Sequence, residues 1–222
     1  MLIDAMLPAV RLTAAIPQPL SLQATPEWFQ QRIGKLTASN MASAMSFLKN
    51  GKESADRQKL KMQIVAERLT DIIVSHYVTE AMEWGIETEA EAKEAASKLI
   101  GIEIKPCSFY DHAEIDNFGA TPDGLIDDDG LIEIKCPTTT THLSWLLENK
   151  VPEQHKAQMT AQLLCTGRRY CQFMSYDPRV PKRPILYKRF APSQAERDKV
   201  EQAAVLFLNE VDELFERVST RN

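Results

Sequence analysis

The sequence predicts an α/β or α+β fold in which helices flank a central mixed β-sheet. Segments with helical periodicity surround short segments rich in β-branched and aromatic residues, an order that is typical of a layered fold. Hydrophobic residues make up 44% and charged residues 26% of the 222 residues, a composition that allows a sizeable core. The sequence contains no internal repeat and no low-complexity linker, so we expect a single domain over residues 1–222.

The first part of the chain predicts an arm followed by short helices. Residues 1–24 are apolar but are interrupted by prolines and charged residues, which favours an irregular arm over a signal peptide or a membrane span. Thr25-Pro26-Glu27 combines a capping residue, a proline at the first helical position and an acidic residue, and predicts a helix that ends at Gly34. Thr37 or Ser39 is expected to begin a second short helix.

The same periodicities predict the remaining elements. The predicted helices cover residues 54–73, 79–99, 141–148, 153–165 and 193–219, and Ser193 caps the last of them. The predicted strands cover residues 102–104, 107–110, two segments within 118–135, 170–175 and 185–190. The motifs described below lie within residues 25–190, which we expect to form the core between the N-terminal arm and the C-terminal helix.

Charge, cysteine and histidine content narrow the possible functions. The net charge is −5, so the chain has no global basicity, although a locally positive groove suffices to bind DNA. The four cysteines lack Cys-x-x-Cys spacing, which argues against structural zinc, iron–sulfur clusters and disulfides and favours reduced thiols in a cytosolic protein. With four histidines and no histidine cluster, a histidine-based nuclease or a zinc hydrolase is disfavoured.

The segment from Thr121 to Pro137 carries the strongest functional pattern. It predicts two short strands joined by a tight turn at Asp129-Gly130. Glu133 and Lys135 share one face of the second strand because side chains alternate along a strand, and Asp123 belongs to the first strand of the same pair. Two carboxylates and an ammonium group can therefore converge. Such a set suits Mg²⁺ and metal-assisted phosphodiester hydrolysis.

The same residues also have an ordinary structural interpretation. Asp and Gly are common in hairpin turns, and a Glu-x-Lys pair on a strand is often a solvated face. The metal-site interpretation gains weight from the run Ile132-Glu-Ile-Lys-Cys-Pro137, because its polar pair alternates with core-type residues and a proline closes the strand.

Thr-Pro-Asp-Gly-Leu followed by Glu-Ile-Lys-Cys-Pro resembles the Asp…Glu-x-Lys core of the restriction-endonuclease-like nucleases, the PD-(D/E)xK superfamily. The local sequence of these two motifs is similar to that of the lambda-exonuclease, or viral alkaline exonuclease, branch. The resemblance implies a restriction-endonuclease-like core with a central mixed sheet. It also implies that Asp123, Glu133 and the carbonyl of Ile134 bind one or two Mg²⁺ ions, which Mn²⁺ could replace, and that Lys135 orients and activates the attacking water.

Two upstream motifs extend the resemblance. Gly85-Ile-Glu-Thr-Glu89-Ala-Glu-Ala92 is similar to a Gly-x-x-x-Glu-x-x-Ala helix of this family, which implies Glu89 as a further metal ligand and leaves Glu87 and Glu91 open. Arg32-Ile-Gly-Lys-Leu-Thr-Ala-Ser39 resembles the family's Arg-x-Gly-x-x-Thr-Ala-Ser signature. It implies that Arg32, Ser39 and Thr121 bind a terminal 5′-phosphate. The alternative is a surface arginine and a plain helix cap.

Three further positions are compared with the family. Ala157-Gln158-Met-Thr160 resembles an Ala-Gln-Val-Gln element, which implies Gln158 in the active site, whereas Thr160 departs from the second glutamine. Met82 falls where relatives place an apolar wedge that separates the DNA strands, although core packing is the simpler interpretation. Tyr176-Asp-Pro-Arg179 also matches the family and is expected to form a structural turn. His155 is expected either to contact DNA or to have no role in the site.

The resemblance implies a Mg²⁺-dependent 5′→3′ exonuclease. Such an enzyme degrades one strand of double-stranded DNA from 5′-phosphorylated ends to mononucleotides and leaves 3′ tails for phage-type recombination. It further implies a ring-shaped homotrimer, a single-strand-annealing recombinase partner, and a phage or prophage protein in the bacterial cytoplasm with no membrane contact. The alternatives are a structure- or sequence-specific endonuclease on the same core and a non-catalytic scaffold that binds DNA ends.

Overall fold

Two mixed β-sheets and seven α-helices form the part of the chain that the computed structural model describes, residues 25–74 and 80–220. The arm predicted for residues 1–24 lies outside it. The helices are α1 Pro26–Gln30, α2 Met41–Ala44, α3 Ala55–Thr70, α4 Glu80–Ile100, α5 Thr139–Glu148, α6 Glu153–Thr166 and α7 Gln194–Ser219. The strands are β1 Leu36–Thr37, β2 Tyr110–Asp111, β3 Phe118–Ala120, β4 Gly124–Ile126, β5 Gly130–Lys135, β6 Tyr170–Tyr176 and β7 Ile185–Phe190.

The larger sheet has the strand order β4-β5-β6-β7. Strands β5 and β6 are parallel, while β4 and β7 pair antiparallel with their neighbours. Its helices cover both faces. On one face, Leu131 and Phe173 pack against α5 and α6; on the other, Ile132 and Ile134 pack against Ala92 and the rest of α4. This arrangement confirms the predicted fold class of a mixed sheet flanked by helices.

The smaller sheet places the Arg32–Ser39 segment next to the strand that leads into the hairpin. Its order is β1-β3-β2, and Leu36 and Thr37 of β1 lie parallel to Phe118 and Gly119 of β3. Since β3 continues through Thr121 into β4, two motifs that are distant in the sequence become neighbours.

Two helix caps are formed by the residues that the sequence predicted for them. Thr25 Oγ1 accepts the Trp28 N–H at the start of α1, and Ser193 forms a full capping box with Glu196 at the start of α7. Helix α7 buries its apolar stripe against α2, α3 and α6. None of the described helices combines the length and apolarity that a membrane crossing requires.

The hairpin turn differs from its prediction. The residue with a positive φ is Asp127, at 45°, and its Oδ1 accepts the N–H groups of Asp129 and Gly130. Gly130 does not adopt a positive φ. It is required because a Cβ there would collide with the ring of Tyr170. An Asx turn therefore replaces the predicted Asp-Gly turn.

The predicted strand at residues 102–104 is also wrong. In the described chain this region contributes a single isolated bridge, between Lys105 and Leu125. The bridge is antiparallel, so Glu103 would have to pair next with Asp127, which has left the extended conformation at a φ of 45°, and the pairing ends with β4.

Two glycines give opposite predictions for stability. A Cβ at Gly119 would meet the Phe109 ring and lie 2.8 Å from the Tyr110 carbonyl oxygen, whereas a Cβ at Gly85, within α4, has no described atom within 4 Å. Gly119→Ala should therefore lower the free energy of unfolding by about 1–3 kcal/mol through overpacking. Gly85→Ala, the matched control, should raise it by up to about 1 kcal/mol through helix propensity. Urea denaturation measures both, and equal effects would contradict the packing described for Gly119.

Candidate active site

The carboxylate of Glu133 lies in the interior between β5 and α6. The residue is 1% exposed. Its Oε1 accepts hydrogen bonds from Lys135 Nζ at 2.5 Å and from Gln158 Nε2 at 2.7 Å, and its Oε2 accepts one from Gln162 Nε2 at 2.6 Å. A buried carboxylate is costly unless donors satisfy it, and these three side chains do so.

Asp123 is the second carboxylate of the site. It lies just before β4, and its Oδ2 accepts the Ile134 N–H at 2.6 Å. Burial and the neighbouring charge of Glu133 raise the pKa of Asp123 to about 8, while Lys135 and the Ile134 N–H oppose the shift. The hairpin thus brings together the predicted Asp123, Glu133 and Lys135, and the two carboxylates compete for one positive charge.

Lys135 supplies that charge. Burial alone would lower its pKa, but the charges of Glu133 and Asp123 dominate and raise the pKa to about 12. The ammonium group therefore stays protonated near neutral pH. In this state it can donate hydrogen bonds and stabilise negative charge, and it does not act as a base.

Among the three candidate glutamates of α4, Glu89 is the one whose charge reaches the site. It raises the pKa values of Asp123 and Cys136, and its own carboxylate is paired with Lys93 at 2.6 Å. Glu91 instead accepts a hydrogen bond from the Tyr176 hydroxyl at 2.7 Å, and Glu87 is exposed.

The oxygen-rich donor set fits a hard cation such as Mg²⁺, which commonly takes one or two protein carboxylates together with substrate phosphate and water. Within residues 25–74 and 80–220, no three acidic, histidine or cysteine side chains are arranged closely enough to hold a metal by themselves. The donors at hand are Asp123 and Glu133. The Ile134 carbonyl and Glu89 stay predictions as ligands.

Arg32 and Thr121, two of the predicted phosphate-binding residues, are in contact. Arg32 Nη1 lies 3.4 Å from Thr121 Oγ1, which also accepts the Trp28 indole N–H at 3.0 Å. The guanidinium stacks 4.2 Å from the centroid of the Trp28 ring. Burial lowers the pKa of Arg32 to about 10, with the charge of Glu67 opposing the shift, so the residue stays cationic at neutral pH.

Ser39 joins this pair through Thr37. The Thr37 hydroxyl lies 3.1 Å from Ser39 Oγ, 3.5 Å from Arg32 Nη2 and 3.3 Å from Asn40 Nδ2. Thr37 precedes a 3₁₀ turn over Ala38–Asn40, so Ser39 lies within the turn and not at its cap. A cavity of about 400 Å³ opens here, and Arg32, Thr37 and Ser39 help to line it.

The remaining residues that the sequence singled out are Thr160, His155 and Met82. Thr160 is buried and donates to the Lys156 carbonyl of its own helix at 2.8 Å. His155 packs between Trp145 and Phe173, and burial and the charge of Lys135 lower its pKa to about 4, so it carries no charge for a DNA contact at neutral pH. The side chain of Met82, the predicted wedge, lies outside the described residues.

The Tyr176–Arg179 motif is a structural turn that holds the surroundings of the site. Asp177 is fully buried and accepts hydrogen bonds from Thr139 Oγ1 and Arg179 Nε, each at 2.7 Å. Arg179 also donates to the Pro137 carbonyl at 3.2 Å and lies 4.0 Å over the Trp84 ring of α4. The turn therefore links the end of β5 to α5 and α4.

Sequence reasoning missed three residues of the site: Trp28, Thr37 as a contact of Arg32, and Gln162. Gln162 offered a usable signal, since it follows Gln158 by four residues and must share its helix face. Trp28 lies one helical turn before Arg32, but its contact with Thr121 spans 93 positions and depends on β1 pairing with β3.

Comparison with known proteins gives a consistent result. A family model described as the YqaJ-like viral recombinase domain matches residues 27–169. The structure is similar to an alkaline exonuclease, LHK-Exo, from Laribacter hongkongensis, with a TM-score of 0.81 and 35% identity over 88% of this chain and 96% of that chain. A second structure of LHK-Exo, in complex with dAMP, matches with the same TM-score and identity over 87% and 96% of the two chains.

A phage-related exonuclease from Haemophilus somnus 129PT shares the fold, with a TM-score of 0.62 at 13% identity over 83% of this chain and 96% of that chain. No curated protein sequence matches the chain. The match to LHK-Exo confirms the restriction-endonuclease-like core that the resemblance predicted.

The raised pKa of Asp123 predicts how the stability of the metal-free protein depends on pH. The folded-state pKa of about 8 exceeds the ordinary value of 3.8, so the contribution of this group to stability is present at low pH and is lost as the pH rises toward 8. Between pH 6.5 and 8 the free energy of unfolding in EDTA should fall by roughly 1 kcal/mol per pH unit.

Asp123→Asn removes the titrating group and should flatten the pH profile over this window, as measured by urea denaturation. His155 does not interfere, because its lowered pKa of about 4 and its ordinary value of 6.5 both lie at or below the window. The same slope in wild type and variant would show that Asp123 is ionised in the folded protein at pH 6.5.

Proposed function

Because the chain belongs to the family of YqaJ-like viral recombinase domains, we propose that it is a Mg²⁺-dependent 5′→3′ exonuclease that degrades one strand of double-stranded DNA from 5′-phosphorylated ends. One observation carries the proposal. Thr121, which contacts Arg32, and Asp123, which contacts β5, are two residues apart. Two residues of chain span at most about 7 Å. An arginine pocket and a pair of carboxylates at this separation suit the release of one nucleotide at a time.

The relatives support a nuclease. The structural match to an alkaline exonuclease favours DNA cleavage, and 35% identity over most of both chains supports the transfer of the reaction class. LHK-Exo has been captured with dAMP. A deoxynucleoside monophosphate is the kind of product that stepwise removal of nucleotides yields, which agrees with the proposed reaction.

In the proposed mechanism, Asp123 and Glu133 hold Mg²⁺ or Mn²⁺, with the Ile134 carbonyl and Glu89 as further ligands of one or two ions. When bound, the metal polarises the phosphate and lowers the pKa of a water molecule. Lys135 orients the attacking water and stabilises charge on the scissile phosphate. Gln158 keeps the Glu133 carboxylate in place and lines the site.

The pocket selects the DNA end. Arg32 can bind a phosphate bidentately, and its position over Trp28 reduces the entropy lost when it does so. The hydroxyl groups of Ser39 and Thr121 supply neutral donors beside it. A 5′-phosphate fits this combination better than a 5′-hydroxyl, because the guanidinium needs a negatively charged partner.

Family resemblance extends the proposal to the assembly. We propose a ring-shaped homotrimer around the duplex, a single-strand-annealing recombinase as partner, and a phage or prophage enzyme at work in the bacterial cytoplasm. The 3′ tails that the reaction leaves would be the substrate of that partner.

Digestion of linear duplex DNA tests the function. With Mg²⁺, the protein should release mononucleotides from DNA with 5′-phosphate ends, act more slowly on 5′-hydroxyl ends, and spare a covalently closed circle. EDTA should stop the reaction. Cleavage of the circle would indicate an endonuclease on the same core, and binding of ends without cleavage would indicate a scaffold.

Lys135→Ala should abolish cleavage, by at least about 100-fold, and leave the affinity for DNA ends near that of wild type, because the ammonium group acts on the reacting phosphate and not in the arginine pocket. Lys98→Ala is a suitable control, since Lys98 is exposed and pairs with Glu94 on α4. Single-turnover rates and a fluorescence anisotropy titration in EDTA separate the two quantities. Normal hydrolysis by Lys135→Ala would disprove the assigned role.

A further inference from the structure

We propose that Gln162 is a positioning residue that fixes the Glu133 carboxylate for metal binding. This inference rests on the proposed function, since it concerns the same site. Gln162 Nε2 donates to Glu133 Oε2 at 2.6 Å, and the glutamine is 1% exposed. A side chain so deeply buried does not reach substrate, so it acts through Glu133.

Gln158 and Gln162 divide the two oxygens of the carboxylate between them. They lie four residues apart on α6, and Gln158 donates to Oε1 while Gln162 donates to Oε2. Residues at this spacing lie above one another on a helix face. Together the two amides fix the plane of the carboxylate, which a single hydrogen bond would leave free to rotate.

The hydrogen bond from Gln162 also determines where Lys135 binds. Because Gln162 occupies Oε2, Lys135 approaches Oε1, at 2.5 Å, on the side from which Gln158 also donates. Gln158 is only partly buried, so this side faces the accessible part of the site. Gln162 thereby leaves one carboxylate oxygen on the side of the partly exposed Lys135 and Gln158 and holds the other in the interior.

The carbonyl oxygen of the Gln162 amide also supports a functional role. Its Oε1 is buried and has no hydrogen-bond partner among the described residues. An unsatisfied buried acceptor is destabilising, so a position chosen for stability alone would favour an apolar residue. The charge-assisted hydrogen bond to Glu133 accounts for keeping an amide there.

Glutamine-to-methionine substitutions test the inference, because methionine has a similar length and no donor. Gln162→Met is compared with wild type and with Gln172→Met as a matched control. Gln172 also has a buried, unpartnered Oε1, but it lies opposite Ile132 on the face of the sheet that α4 covers. The full chain is used throughout, and circular dichroism verifies folding.

Mn²⁺ binding without DNA, measured by calorimetry, is the main readout. Gln162→Met should bind Mn²⁺ about 10–100-fold more weakly than wild type, and the Mg²⁺ concentration for half-maximal cleavage should rise by a similar factor. Binding of a 5′-phosphorylated duplex end in EDTA should not change, since the arginine pocket is intact. Gln172→Met should resemble wild type in all three measurements.

A folded Gln162→Met variant with wild-type Mn²⁺ affinity would overturn the inference. If this variant does not fold, Gln162→Leu replaces it, because leucine suits a buried position and also lacks a donor; unchanged Mn²⁺ affinity there would be equally decisive. Failure of the proposed function is distinguishable. Wild-type protein that binds Mn²⁺ but cleaves no DNA refutes the exonuclease, whereas an active wild type with an equally active Gln162→Met refutes only the role of Gln162.

Discussion

The burial of one carboxylate, that of Glu133, governs the arrangement of the surrounding structure. A negative charge with 1% exposure must be matched by nearby donors, and β5 alone can supply only Lys135. The remaining donors come from α6, so this helix has to pack on the sheet with its two glutamines facing inward. The hydrophobic residues that flank them, Met159 and Leu163, complete the same interface. Helix α6 therefore supplies both the hydrophobic contacts that pack it on the sheet and the hydrogen bonds that stabilise Glu133.

The electrostatics explain how an acidic chain can suit the polyanionic substrate proposed for it. The charge of the whole protein is −5, but Arg32 and Lys135 stand at the cavity and at the carboxylate pair, and each has a pKa well above neutrality. A cation bound by Asp123 and Glu133 would cancel the repulsion between their carboxylates. Local charge, and not the total, decides what binds at such a site.

Much of the fold followed from local patterns. The alternation along residues 132–135 predicted which side chains of β5 share a face, and the caps predicted where α1 and α7 begin. The failures have physical causes. The Asp127 side chain accepts the N–H groups of the hairpin turn, and the positive φ of the same residue ends β4, so the bridge at Lys105 is not extended into a strand. Trp28 and Thr37 could not be assigned from the sequence, because their contacts with Thr121 and Arg32 are set by tertiary packing and not by spacing.

The direct connection between Thr121 and Asp123 has a mechanical consequence. In the proposed enzyme, Thr121 at the phosphate pocket and Asp123 at the metal site are separated by two peptide units, which covalent geometry limits to about 7 Å. The backbone would therefore limit how far the bound DNA end can lie from the bond that is cleaved. Thermal motion of the surrounding helices would change the rate of the proposed reaction without extending this distance.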